Sequence, residues 1–207
     1  MPYIFSKYLK GSNRSLLLLV LSMFFFSGCA GIARTDSAGN EKHPDMRSAK
    51  LASKPIGRIE YDSFKSLKIS AESPYLESES LKGRYEIVSI QGKKGQQFLI
   101  TTTGICDCLG LRKWSVVPFS YLLDGDGGIV LAGKSTTPMA QTLAGAFPED
   151  GDYYLMIVAD STSAGKRIGV ISGGLAVPGR PYVPDIITLP MTSHPTGLVQ
   201  VHYHKSE

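Results

Sequence analysis

The chain has 207 residues, a formal net charge of +4 and three cysteines. Lys7, Lys10 and Arg14 stand in the first 28 residues with no acidic partner, so residues 29–207 carry +1, the full +4 less these three. That balance excludes the basic footprint of a nucleic-acid-binding protein.

The N-terminus reads as an export signal. After the basic start, Ser15 to Phe26 (SLLLLVLSMFFF) is a continuous apolar run, followed by Ser27, Gly28 and Cys29. As a helix the run rises only about 18 Å, against a hydrocarbon core of roughly 30 Å, which is too short to span stably. The pattern is that of a secretory signal peptide over residues 1–28. Phe26-Ser27-Gly28-Cys29-Ala30 resembles the lipobox of bacterial lipoproteins, with Phe26 where that family usually has Leu. The resemblance implies that Cys29 becomes the first mature residue and carries the lipid. Ala30, with no Asp there, implies sorting to the outer membrane. The alternatives are an ordinary signal peptide cleaved near Ala30 and an uncleaved anchor.

Residues 30–57 are rich in Ala, Ser, Gly and Lys and have no sustained apolar period, so 29–57 is expected to be a lipidated, flexible tether reaching roughly 30 Å. Residues 58–207 suit one domain. Its apolar runs are short and bounded by turn residues. Arg84–Ile90 and Gln96–Thr103, joined by QGKKG, read as a hairpin. Trp114–Leu123 leads through Asp124-Gly125-Asp126-Gly127-Gly128 into Ile129–Ala132. Tyr153–Asp160, Lys166–Ser172, Asp185–Leu189 and Leu198–His204 follow. Only the region 138–146 offers a short helix. The expectation is an all-β fold, an antiparallel β-sandwich or jelly-roll-like domain.

Within it, QQFLITTT, then YLLDGDGGIVLAGK, then FPEDGDYYLMIVAD resembles the bacterial pre-peptidase C-terminal domain family over roughly residues 84–172. The resemblance implies an exported β-sandwich accessory module without catalysis of its own; the chain departs from it in having no peptidase domain attached. In Gly151-Asp152-Tyr153, glycine permits a tight bend. Tyr153, Leu155, Ile157 and Ala159 then share one strand face. The tyrosine is expected to hydrogen-bond back across the turn. Tyr154, Met156 and Val158 make the other face apolar too, which calls for a central strand covered on both sides, or an outer face that meets a partner.

Gly128-(four residues)-Gly133-Lys134-Ser135 satisfies the phosphate-binding P-loop pattern, and Leu155–Asp160 imitates the strand ending in a magnesium-holding aspartate. The chemistry argues against nucleotide binding. Ile129, Val130, Leu131 and Ala132 resist the positive φ angles of a phosphate nest, and Pro138 forestalls a following helix. The four fit a hairpin strand instead.

Asp124 and Asp126 alternate as hard-cation ligands do, and Asp150 and Asp152 supplement them if the two turns share one end of the sandwich; calcium is the cofactor this allows. Asp-Gly is also ordinary turn chemistry, and that is the expectation. Cys106 and Cys108 are expected to form a local disulfide that stiffens a Gly-rich bend; free thiols, metal binding and redox use are the alternatives. His202 and His204 share one face of the last strand, with Val199, Val201 and Tyr203 on the other. Such a pair holds zinc when a third ligand arrives, and nothing nearby in sequence completes a triad. A solvated face is the expectation, with a four-ligand site built from the Cys and His pairs as the sharper alternative. No G-x-S-x-G elbow or H-E-x-x-H helix occurs.

The function these readings support is a non-catalytic, lipid-anchored envelope protein, held to the outer membrane by lipid. It serves as a structural or protein-interaction subunit of a secretion or surface assembly. Its partner is another envelope protein, with no nucleic acid and no nucleotide. Pro178–Pro190, with Tyr182 and Ile187, is the expected contact strip or else a rigid loop covering the core. The alternative function is a calcium- or carbohydrate-binding module, in which Trp114 and the tyrosines supply stacking surfaces; an envelope hydrolase would need a triad in a cleft.

Overall fold

In the computed structural model of the chain the described residues are 41–108, 113–175 and 183–204, those of 172–175 and 183–188 as backbone only. The expected signal peptide (1–28), Cys29 and Tyr182 lie outside them, and Ile187 is a backbone-only position. In chain order the elements are β1 (Lys42–His43), helix α1 (Met46–Ala52), β2 (Ser63–Ile69), β3 (Tyr75–Glu77), β4 (Lys82–Gly92), β5 (Gln97–Ile105) and β6 (Trp114–Ser115). There follow β7 (Pro118–Leu123), β8 (Ile129–Ala132), β9 (Lys134–Thr137), β10 (Ala140–Ala146), β11 (Gly151–Asp160), β12 (Arg167–Leu175), β13 (Val183–Ser193) and β14 (Gly197–His204). The domain is an all-β sandwich. Sheet A has the order β1-β3-β4-β11-β7-β8, sheet B the order β2-β14-β5-β10-β9, and β12-β13-β6 form a small third sheet.

Period-two alternation builds the core. Val88 and Ile90 of β4, Leu122 of β7, and Leu155 and Ile157 of β11 face Leu67 and Ile69, Phe98 and Ile100, Leu143, and Val199, Val201 and Tyr203 of sheet B. Each such aliphatic contributes about 1.5–3 kcal/mol by leaving water. A buried polar clamp crosses this interface. Thr102 and Ser120 share a hydroxyl hydrogen bond of 2.6 Å, and the Ser120 backbone N–H donates to Gln141 Oε1 at 2.8 Å. In a low-dielectric interior a satisfied network of this kind fixes the relative setting of β5, β7 and β10.

The sequence reading misplaces one pairing. β4 and β5 are consecutive but are not a hairpin: β4 pairs with β3 and β11 in sheet A, β5 with β10 and β14 in sheet B. The chain crosses between sheets at Lys93–Gln96 because each strand puts an apolar face into the common core, and two such faces meet only across the sandwich. The helical option at 138–146 is also wrong. Ala140–Ala146 is β10, with Gln141 and Leu143 turned inward at period two.

The larger correction concerns the expected tether. Residues 41–59 fold onto sheet A as a strap. β1 pairs with β3 in parallel. Asp45 caps α1 by accepting from the Ser48 N–H at 2.7 Å, and Ile56 and Ile59 donate to the carbonyls of Ile87 and Ser89 on β4. The helix covers the outer face of sheet A, where Ala49 packs in one buried cluster with Tyr85, Ile87, Leu123, Met156 and Val158. Composition hides this because the helix has only two turns and presents only a short apolar stripe. Tyr85 fastens it: its hydroxyl meets Ser53 Oγ at 2.7 Å and donates to the Ala49 carbonyl at 3.2 Å. Burial pushes the Tyr85 phenol up to about 12, against the Ser53 hydrogen bond, so it stays a neutral donor.

Two outcomes follow. Tyr85→Phe removes the hydroxyl's bonds to Ser53 and to the Ala49 carbonyl, which keeps only the Ser53 N–H; it is expected to cost about 1–2 kcal/mol, lowering Tm by about 3–6 °C and speeding proteolysis within 46–57. Burial also raises the Glu86 carboxyl above its ordinary 4.5, against the Ser73 hydroxyl that donates to it. The folded state therefore keeps this proton to higher pH than the unfolded chain, and the group's contribution is lost as pH rises from 4.5 through the folded value. In thermal melts, Tm of Glu86→Gln relative to the parent is expected to climb across that window; a constant difference would contradict this.

Candidate functional site

The features singled out in the sequence fall into two turns, one end and one open face. At Asp124–Gly128 the Asp124 carboxylate accepts from the N–H groups of Asp126 and Gly128, at 2.9 and 2.7 Å, so it closes its own turn. Gly127 has φ +82°, and a Cβ there would stand 2.9 Å from Arg47 Cα, so only glycine fits beneath α1. The ammonium of Lys50, on α1, hydrogen-bonds the Gly125 carbonyl and lies 4.4 Å from the centre of the Tyr154 ring. The Asp150 turn lies at the same end, since Leu123 pairs with Tyr154. Asp150 accepts from the Lys94 N–H at 2.7 Å, and Asp152 pairs with Arg58 at 2.8 Å. Among the described residues no three His, Cys, Asp or Glu side chains group as metal ligands.

The P-loop look-alike is two consecutive strands in different sheets, β8 paired with β7 in sheet A and β9 paired with β10 in sheet B, with the Gly133 N–H donating to the Ser120 carbonyl. Its aspartate partner, Asp160, accepts from the backbone and hydroxyl of Thr162 at the end of β11. Tyr153 does reach back across its turn, donating to the Glu149 carbonyl at 3.0 Å.

The opposite end carries the cysteines. Cys106 and Cys108 are disulfide-bonded, with Cα atoms 5.2 Å apart. Asp107, between them, pairs with Trp114 through two backbone hydrogen bonds. On its other edge β6 is held by β13, Thr192 pairing with Trp114. The indole lies 4.5 Å from the His194 ring, and Gly197 sits so close that a Cβ would stand 3.1 Å from Cζ3 of Trp114. Trp114, with Lys68, Ser70, Glu72, Thr196 and Leu198, lines an open cleft of about 310 Å³. Closing so short a loop removes only about 1.6 kcal/mol of unfolded-state entropy. The local consequence, fixing Asp107 and through it Trp114, is the larger one.

The third region is the outer face of sheet B. Outward positions include Phe64, Ser66 and Lys68 of β2, Leu198, Gln200, His202 and His204 of β14, and Thr101, Thr103 and Ile105 of β5. Phe64 is 66% exposed, Leu198 48% and Ile105 36%. Phe64 stacks on His202, and His202 on His204, with centroids 5.6 and 5.3 Å apart. Sequence reading found the two histidines but not Phe64, although Phe64 stands out of phase with the inward Leu67 and Ile69. The four-ligand Cys–His site is ruled out. Leu198 pairs with Ile105, whereas His202 pairs with Thr101, so the histidines lie about 13 Å further along β14, and both thiols are in the disulfide.

No protein-family model matches the chain, and no curated protein sequence matches it. Among solved structures, the pre-peptidase C-terminal domain of a collagenase from Bacillus anthracis is similar at 8% identity and a TM-score of 0.39, covering 73% of this chain and 97% of its own. The secreted protein MopE of Methylococcus capsulatus, whose copper binding is facilitated by an oxidised tryptophan, is similar at 9% identity and a TM-score of 0.40. That match covers 70% of this chain and 85% of that one. Among the described residues no helix is long and apolar enough to cross a membrane.

Trp114 is the one tryptophan in the chain, so it reports on this end. Reduction, or the double substitution Cys106→Ser and Cys108→Ser, is expected to shift its emission to the red and increase quenching by acrylamide, with far-UV circular dichroism unchanged. Identical fluorescence after complete reduction would show that the disulfide does not hold the indole.

Proposed function

We propose that the protein is an exported, lipid-anchored, non-catalytic β-sandwich that serves as a structural or protein-interaction subunit at the bacterial outer membrane. The lipobox resemblance at Cys29 supports the anchor and the address. The contact surface is the outer face of sheet B, and the partner is another envelope protein, in a secretion or surface assembly.

One observation carries this reading: the two outer faces of the sandwich are covered unequally. The strap buries that of sheet A, down to Met156 and Val158. On sheet B the outward Phe64, Leu198 and Ile105 are left exposed among hydroxyl and amide groups. Apolar side chains exposed toward both ends of one sheet face, with hydroxyl and amide groups between them, suit a protein contact of mixed polarity. Leu198 also lines the Trp114 cleft, so face and cleft are continuous.

Crosslinking in intact cells followed by mass spectrometry tests the face. Phe64→Asp and Leu198→Asp are expected to lose the crosslinks of the parent while keeping its melting temperature; unchanged crosslinks in both would remove the surface from the proposal. The anchor is tested separately. Cys29→Ala is expected to leave the membrane fraction and to take no fatty-acid label, whereas fractionation like the parent with no label on either would remove the lipid.

A further inference from the structure

We propose that His202 and His204 form a two-imidazole binding site for a zinc ion on the outer face of sheet B. Two residues apart on β14, they project from the same side of the sheet. The strand backbone beneath them is fixed by neighbours, with His202 paired to Phe64 on one side and to Thr101 on the other, and His204 paired to Leu99.

The ring geometry is specific. The two imidazole centroids are 5.3 Å apart with an interplanar angle of 28°. A zinc–nitrogen bond of about 2.0–2.1 Å places the ion about 3.2 Å from the centre of the ring that holds it, so two rings at a tetrahedral angle have centres about 5.2 Å apart. The centroids of the stacked rings thus already stand at the spacing of a liganded pair, and because each centroid lies near its Cβ–Cγ axis, a turn about χ2 aims a nitrogen of each ring at one ion without changing that spacing. Phe64 stacks on His202 with an interplanar angle of 21°.

The surroundings suit a cation. No hydrogen bond within the described residues engages either imidazole, so both rings have nitrogen lone pairs to offer. The outward neighbours are Phe64, Leu99, Thr101 and Gln200, none of them cationic. Lys68 is opposite Leu198, four residues along the strand. Water completes the coordination, so the ion exchanges readily and the site stays open toward solvent. This inference does not depend on the face having a protein partner.

The experiment uses the full-length chain, purified without a histidine tag and titrated with Zn2+ by calorimetry and by imidazole NMR. One equivalent is expected to bind. Of the four histidines in the chain, the signals of His202 and His204 should move and those of His43 and His194 should not. His202→Ala and His204→Ala should each weaken binding at least tenfold, and the double variant should abolish it. Circular dichroism and Tm without metal confirm that each variant is folded, as expected for half-buried positions on the outer face. The proposal is overturned if the parent binds no Zn2+ at 100 µM, if the double variant binds like the parent, or if the shifted signals belong to His43 or His194.

Discussion

The structure depends on one strand that water cannot be allowed to reach from either side. In β11, Leu155, Ile157 and Ala159 turn one way and Met156 and Val158 the other, and all five are fully buried. A strand of this kind requires two covers. Sheet B supplies the first, through the apolar faces of β5, β10 and β14. The second has to come from outside the sandwich, and residues 41–59 supply it. The strap is therefore part of the core rather than a leader to it. Tyr85 links the two layers, rooted in β4 and bonded to the helix by its hydroxyl.

The same requirement explains what becomes of the polar groups that look functional in the sequence. The helix reaches across to the Asp124 turn, where Lys50 takes the Gly125 carbonyl and lies over Tyr154. Asp124, Asp150 and Asp160 accept from backbone N–H groups at strand ends, where the ladder leaves donors unpaired. These aspartates hold turns. Their spacing resembles ligand spacing because a turn and a cation ask the same thing of a carboxylate, namely oxygen atoms directed at nearby positive dipoles or charge.

With one outer face sealed, the faces left open are that of sheet B and the adjoining end. The outer face of sheet B has backbone fixed on both sides along its middle strands, so its side chains are presented on a rigid surface. At its end the disulfide and β13 grip β6 from opposite edges and place the indole beside the cleft. A surface organised this way has little conformational entropy left to lose on being covered.

Much of this was legible in the residues. The unbroken apolar run of β11 called for a cover on both faces or an outer face that meets a partner, and branched residues at 129–131 argued against a phosphate nest. Tyr153 after Gly151 announced the corner, and alternation set both histidines of β14 on one side. These are local properties, fixed by sterics and period-two geometry. What the residues did not decide was where each face would find its complement. β4 and β5 read as a hairpin because period two is the same whether a strand pairs with its neighbour or crosses to the other sheet. The strap read as a tether because two helical turns have almost no stability or signature apart from the surface they cover. Trp114 meeting Thr192, and Phe64 meeting His202, depend on strand register between distant segments. Periodicity says which side chains travel together; only the tertiary structure, by deciding which backbones share hydrogen bonds, says what they face.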